Sequence, residues 1–167
     1  KIKPDYYQAW YSRGIALRKL SRYDEAIDSY EQAIKIKPDY YHAWYGRAWV
    51  LDELDRYEEA IASYDRAIQI KPNCHYALFN RGIALYSQKK YQEAISSFDK
   101  AIENKRHLPQ AWYHRGMALY DLERYEEAMN SFGKALAIQP DYELARENRD
   151  LAEKKLRKPF FMKWLGK

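Results

Sequence analysis

This sequence predicts an all-α chain of stacked antiparallel helix pairs, and three observations carry that prediction. The first is a spacing of 34 residues that runs through most of its 167. Ala9, Ala43, Ala77 and Ala111 share one phase, Arg13, Arg47, Arg81 and Arg115 a second, and Tyr23, Tyr57, Tyr91 and Tyr125 a third. The paired alanines Ala26/Ala33, Ala60/Ala67, Ala94/Ala101 and Ala128/Ala135 keep the same interval. A repeat of that length denotes one supersecondary unit that buries its apolar face by stacking on its neighbours. The second observation is that both halves of the unit place apolar residues at helical intervals. The third is the short connection between the halves, which forces the two helices to run antiparallel.

Taken in order, residues 1–6 (KIKPDY) repeat the wording of residues 35–40 and read as the end of a truncated preceding unit, so the chain is expected to be a piece of a longer protein. In the first full unit, 7–40, Ala9, Trp10, Ala16, Leu17 and Leu20 mark one helix. Ser21-Arg22-Tyr23 turns the chain, and from about Asp24 a second helix carries Ala26, Ile27, Tyr30, Ala33 and Ile34. Pro38 and Asp39 end the pair, because proline has no N–H to donate and disfavours helix at the residue before it. Units 41–74, 75–108 and 109–142 read alike. The third boundary replaces IKPDYY with NKRHLP, which moves the proline to Pro109, where a first helical turn tolerates it. Gly14, Gly82 and Gly116 are expected to face Ala26, Ala94 and Ala128, letting the paired helices approach. Such contact is needed where glycine costs a helix up to ~1 kcal/mol.

Residues 143–158 predict a more polar helix that closes the array, since a terminal repeat needs a polar outer face. Residues 159–167 (PFFMKWLGK) belong to no unit. Phe160, Phe161, Trp164 and Leu165 fall on one face of a short helix, behind the basic Lys154, Lys155, Arg157 and Lys158. Three destinations suit such a tail: the last unit, as an extra cap; the groove or tail of another chain; or an anionic membrane surface.

The net charge of +5 is not spread over the repeats. Six of the 29 basic residues lie between Lys154 and Lys167, where there is no acid, and the 23 that remain face 24 acidic residues. A basic stripe able to track phosphates is absent, so no nucleic-acid partner is expected. One cysteine, Cys74, allows no intrachain disulfide and suits a reducing, cytoplasmic location. Cys74-His75 cannot by itself build a zinc site. No phosphate-binding glycine loop, GxSxG or HExxH occurs. No enzyme activity, cofactor or metal is expected from this segment.

The in-phase residues resemble the tetratricopeptide repeat, whose signature Trp10, Gly14, Ala26, Tyr30, Ala33 and Pro38 match in the first unit. Trp44, Ala60, Tyr64, Ala67 and Pro72 match it in the second. Gly82, Ala94, Phe98 and Ala101 match in the third, where Leu78 replaces the tryptophan. Trp112, Gly116, Ala128, Phe132, Ala135 and Pro140 match in the fourth. Arginine stands at all four places where the signature prefers leucine, and a packed stem with a charged tip is expected there.

The resemblance implies a right-handed superhelical solenoid whose first helices line a concave groove, and a function in binding a peptide or helical segment of a partner protein. Carried over, the groove positions are Tyr11, Tyr45, Phe79 and Tyr113, then Ile15, Trp49, Ile83 and Met117. Gln8, His42, Tyr76 and Gln110 lie one turn earlier, and Arg18, Asp52, Tyr86 and Tyr120 in the last turn. Tyrosine, tryptophan and arginine dominate binding hot spots. Family members that clamp a carboxylate use lysine, arginine and asparagine. Here the matching positions are Tyr11, Ile15, Gly46, Tyr76 and Asn80, so no such clamp is expected. An asparagine ladder reads Ser12, Gly46, Asn80 and His114, which keeps one rung. The second functional reading is self-assembly through the tail or the open N-terminal end.

Overall fold

The computed structural model describes residues 6–164, with side chains as far as Arg157. The chain divides into two compact units, Lys1–Gln88 and Lys89–Lys167. Helices α1 (Tyr7–Lys19), α2 (Tyr23–Ile36), α3 (Tyr41–Glu53), α4 (Tyr57–Ile70) and α5 (His75–Ser87) belong to the first. Helices α6 (Tyr91–Asn104), α7 (Pro109–Asp121), α8 (Tyr125–Ile138) and α9 (Glu143–Trp164) belong to the second. Among the described residues there is no strand, so the all-α expectation holds. Residues 1–5, the side chains of Phe160, Phe161 and Trp164, and all of Leu165 lie outside the described residues.

The second helices begin at the repeated tyrosine, one residue earlier than the sequence suggests, because the turn before them is tighter. Leu20 closes α1, Ser21 adopts a left-handed φ of 57°, and the Arg22 N–H donates to the Leu17 carbonyl at 2.9 Å. Asp55 and Glu123 take the same conformation after α3 and α7, with Arg56 bonding Leu51 and Arg124 bonding Leu119, both at 2.9 Å. A left-handed residue with a Cβ costs roughly 1–2 kcal/mol. The returned bond satisfies a carbonyl that the helix end leaves open. At the next helix start the same arginines turn to a glutamate three residues on. Arg22 meets Glu25 at 2.6 Å, and Arg56 meets Glu59 and Arg124 meets Glu127 at 2.7 Å. The arginine hydrogen bond holds each of these carboxyls below its usual range.

Except for Ala9, which is half-buried, the alanines at the shared phases are fully buried, and one aromatic ring per pair fills the space they leave. In the first unit Tyr30 and Tyr64 sit among Ala26, Ala48, Val50, Leu51, Ala60 and Ala67. Gly14, Gly46 and Gly116 make room for those rings. A Cβ on Gly14 would stand 2.6 Å from Tyr30 Cε1, and one on Gly46 2.8 Å from the same atom. Tyr30 is thus wedged between two glycine backbones, α1 on one side and α3 on the other. In the second unit a Cβ on Gly116 would stand 2.6 Å from Phe132 Cε1. Ala26 and Ala128 are expected opposite Gly14 and Gly116; what an added Cβ meets first is the ring on the same facing helix, so spacing identifies the helix and its largest side chain decides what is met.

The repeated arginines are tied at their tips. Arg47 Nη1 donates to the buried Ser63 at 2.6 Å, and its Nε meets Glu31 at 3.0 Å. Arg115 bonds Ser131 and Asp99, each at 2.6 Å. Arg13 bonds Ser29 at 2.5 Å, and Arg81 bonds Asp65 at 2.5 Å. In each complete case a first-helix arginine holds its own second helix through a serine and the preceding one through an acid, each 16 residues away.

Pro109 opens α7 at its first position, as its place in the sequence implies. At the far end α9 runs without interruption through Pro159 to Trp164, so no break separates the predicted closing helix from the first part of the tail.

Candidate functional site

In the first unit, helical spacing sets the predicted groove residues on one face of each first helix: Tyr11 and Ile15 on α1, His42, Tyr45 and Trp49 on α3, and Tyr76, Phe79, Asn80 and Ile83 on α5. All are half-buried except Tyr76, which is 56% exposed. At the start of α3 the rings join into a cluster. Tyr40 packs against Tyr7 at 4.9 Å and against Tyr11 at 5.3 Å, and His42 lies 5.8 Å from Tyr11. Lys37 sits over Tyr7 and Lys71 over Tyr41, at 4.9 and 4.5 Å. Burial, aided by Lys71, pushes the His42 pKa down, which keeps the ring neutral and apolar. Burial raises the phenols of Tyr11 and Tyr45.

Toward the other end of α3, the Arg18 guanidinium lies over the Trp49 ring at 4.2 Å. Asn80 donates its amide to the Tyr45 hydroxyl at 2.9 Å, so the one expected ladder rung is engaged within the chain. Gly46 cannot become a second rung, because any Cβ there meets Tyr30. Asp52 closes the face. Its Oδ1 is sealed and without a hydrogen-bond partner. Burial, with Glu53 and Asp55 adding, pushes the Asp52 carboxyl up to about 6.

In the second unit, α7 carries Tyr113, His114, Met117 and Tyr120. Tyr113 departs from expectation: it is buried, 5.8 Å from Phe132 and 5.1 Å from Tyr142, and Asn148 donates to its hydroxyl at 3.3 Å. Its ring packs inside the unit and offers a partner little. His114 is half-buried against Phe98 and Tyr113, and desolvation lowers its pKa to about 4, so it carries no charge at neutral pH. Tyr120 lines a shallow cavity of about 340 Å³ with Leu151, Lys154, Lys155 and Arg157.

Leu144 and Leu151, on α9, were not among the sequence-derived positions, yet they are 53% and 46% exposed. The signal was present. Residue 144 keeps the 34-residue phase of His42, Tyr76 and Gln110, and 151 that of Trp49, Ile83 and Met117. The contacts agree. Arg146, in phase with Trp44, donates to the Pro140 carbonyl at 2.7 Å, as the Trp44 indole does to Pro38 at 2.8 Å. Asn148 meets Tyr113 as Asn80 meets Tyr45. The closing helix is therefore built as another first helix, and its polar composition conceals the fact.

Among the described residues, no helix is long and apolar enough to cross a membrane, and no group of three or more His, Cys, Asp or Glu could hold a metal ion. Cys74 is a buried free thiol.

The family profile described as tetratricopeptide repeat matches residues 3–41 and 11–73, and a profile described as anaphase-promoting complex, cyclosome, subunit 3 matches residues 53–135. No curated protein matches the sequence. Among solved structures, a crystal structure of MamA protein is 21% identical over 91% of this chain and 88% of its own, with a TM-score of 0.80. MamA 41-end from Desulfovibrio magneticus RS-1 is 16% identical over 96% of each chain, with a TM-score of 0.78. The first TPR of Spaghetti (RPAP3), bound to the HSP90 peptide SRMEEVD, is 23% identical over 70% of this chain and 93% of its own, with a TM-score of 0.68. These likenesses are likenesses of fold.

Proposed function

Because the chain belongs to the tetratricopeptide repeat family, we propose that it is a protein-interaction scaffold holding a peptide or helical segment of a partner on the faces of its first helices. In the first unit the face is that of α1, α3 and α5. In the second, α7 contributes Met117 and Tyr120, and α9 contributes Leu151. One observation carries the reading. The core of each helix pair is built of alanines, one large ring and a few aliphatic side chains, while Tyr11, Tyr45, Trp49, Tyr76, Phe79 and Ile83 remain partly exposed beside it. Large apolar side chains left partly exposed and grouped on one face mark a binding surface. The resemblance to a peptide-bound relative supports the fold's suitability for this use.

Random peptides displayed on phage provide the test. The whole chain should enrich a peptide set, and synthetic copies should bind Tyr76→Ala/Phe79→Ala at least tenfold more weakly, since each anchor removed costs about 1 kcal/mol or more. Far-ultraviolet circular dichroism should be unchanged in that variant, because Tyr76 is exposed and Phe79 half-buried. Equal binding by both proteins would place the interaction elsewhere.

A further inference from the structure

Among the described residues, no cation pairs with the carboxylate of Asp52, and the charges beside it are negative. Asp52 lies in the last turn of α3, with Oδ1 sealed from solvent and unbonded. Tyr64, wholly buried in α4, turns its hydroxyl toward Asn80, and the Asp52 charge acts on it. The charges acting on Asp52 itself are those of Glu53 and Asp55, both negative. Asp55 accepts a bond from the Tyr57 hydroxyl. Arg18, from α1, lies over Trp49 instead of meeting the carboxylate. A sealed acceptor with no donor opposes folding until a donor arrives.

We infer that Asp52 receives a lysine or arginine side chain of the segment held on the α1, α3 and α5 face. The inference rests on the peptide-binding reading above and adds a chemical class to it. A basic side chain suits the site in both its parts. Its charged head meets a carboxylate whose charged neighbours are both negative. Its aliphatic stem can lie along Trp49, one helical turn earlier. A metal ion suits it less, because among the described residues no cluster of three or more ligating groups exists.

The same displayed peptides, panned against the whole chain, decide the matter. The enriched peptides should share a lysine or arginine at one position. Synthetic copies should bind Asp52→Asn about tenfold or more weakly, as expected for losing a charge-assisted bond. Replacing that lysine with norleucine should make the two proteins equal. Peptides without a common basic position, or equal binding by Asp52→Asn, would overturn this inference and leave the binding face standing. Failure of the wild-type chain to enrich any peptide would overturn both. Without peptide, Asp52→Asn should melt higher than wild type above about pH 6, because a carboxyl with a raised pKa destabilises the folded state once ionised. The difference should vanish below about pH 4, where the carboxyl is protonated folded or unfolded. A lower melting temperature for Asp52→Asn at pH 8 would reveal a structural partner for Asp52 and sink the proposal.

Discussion

Tyr30→Ala is expected to lower the stability of the first unit by about 3–5 kcal/mol, the range for deleting a large buried ring. The upper part of that range is anticipated for a local reason. A cavity costs less when neighbouring side chains collapse into it, and here two of the walls are the backbones of Gly14 and Gly46, which have none. Val50 and Leu51 are themselves fully buried and packed, so they have little freedom to move in. Denaturant titration should show the loss as a lower midpoint. Hydrogen exchange should show it as faster amides in α1, α2 and α3, the helices the ring joins. A loss under about 1.5 kcal/mol would mean that the ring is not the wedge its contacts describe.

Gly116→Ala should destabilise the second unit by about 1–3 kcal/mol, although alanine is the better helix former by up to ~1 kcal/mol. The new methyl would lie 2.6, 2.7 and 3.0 Å from Cε1, Cδ1 and Cζ of Phe132. That ring is wholly buried and has nowhere to swing. Two companions isolate the cause. Gly133→Ala, where nothing lies within 4 Å of the new atom, should stabilise by about 0.5–1 kcal/mol through propensity alone. Phe132→Leu removes the ring atoms that clash, so the double variant Gly116→Ala/Phe132→Leu should be more stable than additivity predicts by at least about 0.5 kcal/mol. Additive losses would show that the glycine is needed for some reason other than the ring.

The helix pairs were legible because a 34-residue interval repeats with a fixed internal phase, and phase alone determines which residues share a face. Phase does not determine depth. It placed Tyr113 on the same footing as Tyr11 and Tyr45, whereas Tyr142 and Asn148 cover Tyr113. It foresaw arginines with packed stems but not their partners, because Ser29, Ser63, Ser97 and Ser131 look like ordinary helix-surface serines until the facing helix is in place. Composition also misled at α9, where many charges suggested a mere solvating helix and hid the positions of Leu144 and Leu151. Asp52 was legible as a groove position, but its missing counter-ion could only be seen once α4 and α1 were packed against it.

The arginine ties have a consequence for the length of the chain. Arg47 reaches 16 residues back to Glu31 and 16 forward to Ser63, and Arg115 does the same with Asp99 and Ser131. An insertion or deletion inside either span moves one partner off its arginine and leaves a buried serine short of a donor. Adding or removing a whole 34-residue unit carries every tie along with it. Growth of such a chain is therefore quantised: it tolerates change in whole periods and resists it in fractions, whatever the face of its first helices is used to hold.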